Sequence, residues 1–219
     1  YIYAASNSAI NFYRTYKIPK KNGGTREISE PLPSLKEIQR WILYNVLAPV
    51  NISVYAKAYV KKKSIKENAR FHKRQPIVLS LDVERFFDSI TSDKIYSLFL
   101  KLGYKEDVSV LLTNLCCLNG CLPQGAPTSP MLSNIVLTEF DNIIGKYTNE
   151  KKIRYTRYAD DMTFSGDFKP GQIISFVKYN LSNLGLKLNE RKIRTRKKCQ
   201  RQEVTGIVVN EKMQLPKPV

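Results

Sequence analysis

The sequence predicts an α+β fold with a ferredoxin-like lobe, a βαββαβ order around an antiparallel sheet, and three observations carry that reading. Residues 75–90 (QPIVLSLDVERFFDSI) put Ile77, Leu79, Leu81 and Val83 on one face and Val78, Ser80 and Asp82 on the other, as a buried strand would. Residues 153–166 (IRYTRYADDMTFSG) alternate apolar and polar side chains on both sides of Asp160-Asp161, the pattern of a hairpin with two aspartates at its tip. Helical spacings follow each segment, and Leu186-Lys187-Leu188 brings the chain back as a last strand.

The chain has 219 residues, enough for one large domain or two small lobes, and a hydrophobic share of 42% excludes a disordered chain. Lys and Arg number 36 against 19 acids, a net charge of +17, which points to a polyanionic partner such as nucleic acid. No apolar run reaches membrane length and no signal peptide opens the sequence, so a cytoplasmic protein is expected, without membrane contact. Lacking an initiator Met, it reads as a soluble fragment whose native ends lie outside it. Cys116, Cys117, Cys121 and Cys199 do not have zinc spacing and are expected as reduced thiols.

From the start of the chain, Asn22-Gly23-Gly24 between Ile18 and Ile28 signals a hairpin. Lys20, Lys21 and Arg26 flank its turn, making a basic flap able to cover a triphosphate. Ser34 is the expected cap of a helix with Leu35, Ile38, Trp41, Ile42 and Val46 on one face. Lys61, Lys62 and Lys63 form a basic run suited either to phosphate contact or to plain solvation. Asp82 ends a strand so apolar that an unpaired carboxylate would be costly, and a metal ion would relieve it. Thr91 or Ser92 caps a helix through Ile95, Leu98, Phe99 and Leu102, ended by Gly103. Residues 121–134 (CLPQGAPTSPMLSN) read as a Gly125-containing loop entering a helix at Thr128 or Ser129, with Pro130 at its first position and Leu132, Ile135, Val136, Phe140 and Ile143 at helical spacing. Residues 173–184 read as an amphipathic helix stopped by Gly185, residues 192–201 as a basic segment, and residues 204–209 as a further strand.

Together these segments resemble the reverse transcriptases over nearly the whole chain. LDVERFFDSI (81–90) looks like their motif A, LPQGAPTSP (122–130) like motif B, YADD (158–161) like motif C, and GLKLN (185–189) followed by Lys192 like motif D. Asn68-Ala69-Arg70-Phe71-His72 and Val204-Thr205-Gly206 are similar to the NAxxH and VTG signatures of the bacterial retron type. The resemblance implies a right-hand polymerase. Fingers would span 1–76 and 91–127, palm 77–90 and 128–215, and the start of a thumb 216–219.

Nucleotidyl transfer needs charge stabilisation on the attacking and leaving oxygens, which two Mg²⁺ ions supply (Mn²⁺ can substitute), and hard cations favour carboxylate ligands. Asp82, Asp160 and Asp161 are the expected catalytic acids and metal ligands. Asp82 bridges both ions with Asp160 as its partner, Asp161 is the weaker ligand because adjacent strand residues point to opposite sides, and the Val83 carbonyl can add a ligand. The resemblance further implies that Lys20 and Arg26 neutralise the triphosphate, that Gln124 and Gly125 meet the nucleotide, that Phe87 lies beneath its sugar, and that Lys192 is a general acid for the pyrophosphate. Lys61, Lys62, Lys63, Asn68 and His72 are the expected RNA-binding residues, Asn68 and His72 having a purely structural alternative. The implied partners are a structured noncoding RNA that is template and primer, its DNA product, dNTPs, and an effector protein in anti-phage defence. A group II intron or abortive-infection enzyme, and a non-catalytic RNA-binding relative, remain the alternative readings.

The charge generates a first prediction. Affinity of the full-length protein for structured RNA is expected to fall linearly in log K against log salt, by about a thousandfold or more between about 50 and 200 mM. A flat dependence in a filter-binding titration would remove the basic surface from the binding face.

Overall fold

The computed structural model describes residues 2–20 and 23–214. The expected turn residues Lys21 and Asn22 and the expected thumb start at 216–219 lie outside the described residues. Along the chain run α1 (Ile2–Asn7), β1 (Tyr13–Pro19), β2 (Thr25–Pro31), α2 (Pro33–Ile42), α3 (Ile65–Phe71), β3 (Ile77–Asp82), α4 (Ser92–Lys101) and α5 (Glu106–Cys116). Then follow α6 (Ser129–Val136), α7 (Thr138–Glu150), β4 (Arg154–Tyr158), β5 (Asp161–Gly166), α8 (Pro170–Asn183), β6 (Arg194–Lys197), β7 (Glu203–Val204) and β8 (Ile207–Val208). They group into two compact units, Tyr1–Asn51 with Arg85–Val136, and Ile52–Glu84 with Leu137–Val219. The segment boundaries expected at residues 76, 90 and 127 fall inside these units.

In the first unit, β1 and β2 form an antiparallel hairpin with Ile18 opposite Arg26, and nearly all of β1 is exposed. Its turn is closed by Lys20 N–H donating to Gly24 O at 3.0 Å, with Gly23 and Gly24 both at positive φ. Helix α2 starts after Leu32, not at a Ser34 cap, and continues into a π turn over Leu43–Leu47. Its buried side chains are Leu35, Gln39 and Ile42, whereas Trp41 is exposed, because one residue of a regular helix turns it about 100° away from Ile42. Helix α4 follows Thr91 and ends at Gly103, at φ 91, as expected. The helix expected from Ser129 through Ile143 is broken in two: Leu137 leaves helical geometry between α6 and α7, and Pro130 is the second residue of α6, not the first.

The second unit holds a four-stranded sheet in the order β4-β5-β3-β6, with every neighbouring pair antiparallel. This is the strand order of a ferredoxin-like lobe. Its fourth strand is Arg194–Lys197, inside the segment read as a basic tail, and not residues 186–188, where only Leu188 makes a single bridge to Val83. One sheet face carries Leu79 opposite Phe164, Leu81 opposite Met162 and Tyr155 opposite Phe164, the last pair stacked with centroids 4.8 Å apart. The other face carries Val78, Ser80 and Asp82 of β3 with Ser165, Thr163 and Asp161 of β5 and Thr156 of β4.

Helix α3, capped by Ser64 Oγ accepting from Glu67 N–H, brings His72 to this second face. The imidazole is fully buried, with Nδ1 2.7 Å from Ser165 Oγ and Nε2 2.7 Å from Thr156 Oγ1. A neutral ring donates through one nitrogen and accepts through the other, and hydroxyls serve either role. Asn68, 1% exposed, donates to Thr205 Oγ1 at 3.5 Å, and Ala69 packs in one cluster with Val78, Val204 and Val209. The two signature stretches at 68–72 and 204–206 therefore meet. Their Asn68 and His72 side chains are interior, which corrects the expectation of an RNA contact by these two: a side chain without solvent access has none to offer RNA.

Burial, followed by the charges of Arg154 and Lys57, lowers the His72 pKa from 6.5 to about 3. The unfolded chain thus takes up the proton first, so the contribution is complete above pH 6.5 and is lost as pH falls toward 3, on the order of 5 kcal/mol in total. His72→Gln is expected to destabilise the protein more at pH 7 than at pH 4.5 in urea denaturation. An equal cost at both values would contradict a buried neutral ring.

Candidate active site

The acidic site lies where β3 ends beside the β4–β5 hairpin. Tyr158 pairs with Asp161, so the hairpin loop is the two residues Ala159 and Asp160, and Ala159 takes the left-handed conformation at φ 59. The register sets Asp82 directly opposite Asp161, so these two share a sheet face, and Asp160 is in the turn beside them. Val83 N–H donates to Asp160 O at 3.2 Å, which ties the turn to the end of β3. Asp82 is 5% exposed, while Asp161 opens to solvent as a residue.

Partial desolvation of its carboxyl, then the charges of Asp160 and Asp82, push the Asp161 pKa up to about 7, with Lys192 pulling the other way. A hydrogen bond with Asp82 adds to the rise. Lys192 Nζ donates to Asp82 Oδ2 at 2.7 Å. Desolvation lowers the Lys192 pKa, but the Asp82 bond and the charges of Asp160 and Asp161 outweigh it, and the net shift is upward. Among the described residues no three His, Cys, Asp or Glu side chains stand as a closed metal set. The donor chemistry nonetheless fits a hard cation: acid oxygens face one another across two strands, hold a proton up to about pH 7, and already attract an ammonium group.

Two residues absent from the sequence reading underlie the turn. Arg157 on β4 and Asp141 on α7 are both fully buried and paired, with Nε 2.9 Å from Asp141 Oδ1 and Nη2 2.7 Å from Oδ2. Tyr155 Oη donates to the same carboxylate at 2.7 Å, and Arg157 Nη1 donates to Ala159 O at 3.0 Å. Burial opposes the Arg157 charge, but Asp141 outweighs it and keeps the guanidinium protonated. On consecutive elements, 16 residues apart and with no periodic signal linking them, they could have been suspected only from an arginine on the apolar side of a strand.

The remaining predicted residues lie as follows. Lys61, Lys62 and Lys63 are exposed, and Lys63 pairs with Glu67 at 2.9 Å. In the first unit, Lys20 and Arg26 are exposed on the β1–β2 hairpin, and Phe87 is half-buried next to a buried Phe86. Gln124 O accepts from Ser29 N–H at 2.8 Å. Gly125, at φ 128, lies so near β2 that a Cβ would meet Ser29 O at 2.8 Å, so the glycine loop and the basic hairpin adjoin.

The reverse transcriptase (RNA-dependent DNA polymerase) family matches residues 18–209. The retron Ec86 reverse transcriptase of Escherichia coli is 35% identical over 91% of this chain and 63% of its own length. The retron Ec83 reverse transcriptase of the same organism is 36% identical over 93% and 70%, and the retron Mx162 reverse transcriptase of Myxococcus xanthus 33% over 90% and 47%. The chain thus spans about half to two thirds of the curated relatives it matches. In fold it is similar to telomerase from Candida albicans in complex with a TWJ fragment of telomeric RNA, with a TM-score of 0.62 at 10% identity over 91% of this chain and 45% of that one. Family members use divalent metal ions, and no helix among the described residues is long and apolar enough to cross a membrane. With a family match over most of its length and a 36% identical retron relative, the chain belongs to the reverse transcriptases and, among them, to the retron type.

Proposed function

We propose that the full-length protein is an RNA-directed DNA polymerase that copies a structured noncoding RNA into RNA-linked DNA by nucleotidyl transfer, with Asp82, Asp160 and Asp161 as its catalytic acids. The observation that carries this reading is the register that sets Asp82 opposite Asp161 with Asp160 in the adjoining turn. Two bound Mg²⁺ ions would supply charge stabilisation on the attacking and leaving oxygens. Asp82 and Asp160 would hold them, with Asp161 as the weaker ligand and the Val83 carbonyl able to add to the set. The high Asp161 pKa means that a proton must leave before it can bind a cation, so cation affinity rises with pH through about 7.

Lys192 Nζ donates to the Asp82 carboxylate at 2.7 Å, so a cation held by Asp82 would have to share it with the ammonium group or displace that group. Once released from Asp82, Lys192 keeps its proton and can donate it to departing pyrophosphate. Lys20 and Arg26 on the exposed hairpin neutralise the incoming triphosphate, and Gln124 and Gly125 line the nucleotide. In this reading residues 1–76 and 91–127 are fingers, residues 77–90 and 128–215 are palm, and Lys61, Lys62 and Lys63 meet RNA phosphates. A cytoplasmic location and an effector partner in phage defence complete the proposal.

Two outcomes test it. In the full-length protein, Asp160→Asn is expected to lower primer extension by about a hundredfold or more while the circular dichroism spectrum and RNA affinity stay unchanged. Wild-type extension in Mg²⁺ would remove Asp160 from the site. Phe87→Val is expected to raise ribonucleotide use relative to deoxyribonucleotide, since a 2′-hydroxyl pressed on the ring without a partner costs about 1–3 kcal/mol. The ratio of kcat/KM for the two sugars measures this, and an unchanged ratio in an active variant would return Phe87 to the core.

A further inference from the structure

Asp160 stands between two peptide planes, and each is held from a different direction. Its own carbonyl accepts from Val83 N–H at 3.2 Å. The preceding carbonyl, that of Ala159, lies in the same peptide plane as the Asp160 N–H and accepts from Arg157 Nη1 at 3.0 Å. The guanidinium has little freedom to follow if the turn drifts. Its Nε and Nη2 are engaged by Asp141 at 2.7 to 3.1 Å, and that carboxylate is held in turn by Tyr155 Oη at 2.7 Å. The Arg157 backbone is clamped too, donating to Tyr55 O at 2.9 Å and accepting from Lys57 N–H at 2.8 Å. Ala159 occupies the left-handed region at φ 59, which a non-glycine residue adopts infrequently and at some cost.

A buried ion pair is rarely the most stable way to fill a core, and an apolar pair of similar volume often serves as well. No apolar side chain could donate to the Ala159 carbonyl. That difference separates a structural role from a positioning one.

We propose that Arg157 and Asp141 are positioning residues that set the direction of Asp160 by pinning the Ala159–Asp160 peptide through a buried, carboxylate-locked guanidinium. The inference rests on reading Asp160 as a catalytic acid. Three variants of the full-length protein test it: the apolar exchange Asp141→Leu with Arg157→Met, the conservative Arg157→Lys, and Asp160→Asn as control. Hydrogen–deuterium exchange at the Val83 amide reports the turn, and the Leu79 and Phe164 amides report the sheet interior. The apolar exchange is expected to speed Val83 exchange at least tenfold relative to the interior amides, and to lower kcat at least tenfold with KM for dNTP within threefold. Arg157→Lys is expected to show the same split to a smaller degree, and it decides the matter if the double variant does not fold. Wild-type protection at Val83, or equal loss at Val83 and the interior amides, overturns the proposal. So does a selective loss at Val83 with unchanged kcat while Asp160→Asn is inactive. If Asp160→Asn proves active, the catalytic reading of Asp160 fails, and the exchange ratio still decides whether the pair holds the turn.

Discussion

The register of β3 against β5 is the constraint on which the acidic site depends. Side chains alternate faces along a strand, so a slip of one residue would carry Asp82 to the opposite face from Asp161. Once Asp161 gives up its proton, two carboxylates stand directly across the sheet and repel by about 0.2–1 kcal/mol. Against that stand Leu79 with Phe164 and Leu81 with Met162, all buried on the other face, each contributing about 1.5–3 kcal/mol by leaving water. The apolar face wins by a wide margin, and the acids are held facing each other whether or not a cation is present.

The two faces of the sheet divide the labour. The apolar face carries the aromatic stack of Tyr155 and Phe164 and, through Asp141 of α7, the buried ion pair under the turn. The hydroxyl-rich face is tied by His72, which joins neighbouring strands through Thr156 and Ser165 behind the acids. Strand β4 would otherwise present an open edge, but residues 55–57 run along it, with Ala56 bridging to Arg157 in parallel. That cover leaves no free backbone ladder at the point where the turn begins.

Much of this was legible from residue order, for identifiable reasons. β3, the acidic hairpin, α4 and α8 carry strong apolar periods, and the two helices are stopped by Gly103 and Gly185. The fourth strand was not legible. β6 is an edge strand with three of its four residues exposed, so its sequence, Arg-Thr-Arg-Lys, has no apolar alternation, and only its backbone pairing with Ile77 through Ser80 defines it. Within the site, the three acids were readable as a motif, but the pairing of Asp161 with Asp82 follows from register rather than from adjacency. Arg157 and Asp141 were invisible because their meeting is tertiary. His72 could be read either way until its burial between two hydroxyls was known.

The strand order has a consequence for how the chain acquires its structure. β3 lies in the middle of the sheet, yet both of its partners are made long after it, at residues 161–166 and 194–197. During synthesis a strand of sequence Ile-Val-Leu-Ser-Leu therefore waits without a neighbour while the next eighty or so residues emerge, a span set by the strand positions. Long-range pairing of this kind is slow, and an apolar, unpartnered strand is a site for association with other nascent chains. The single aspartate that ends β3 is the only charge on that strand, so the residue proposed for chemistry also joins the flanking Arg74, Glu84 and Arg85 as a gatekeeper against aggregation while the chain is incomplete.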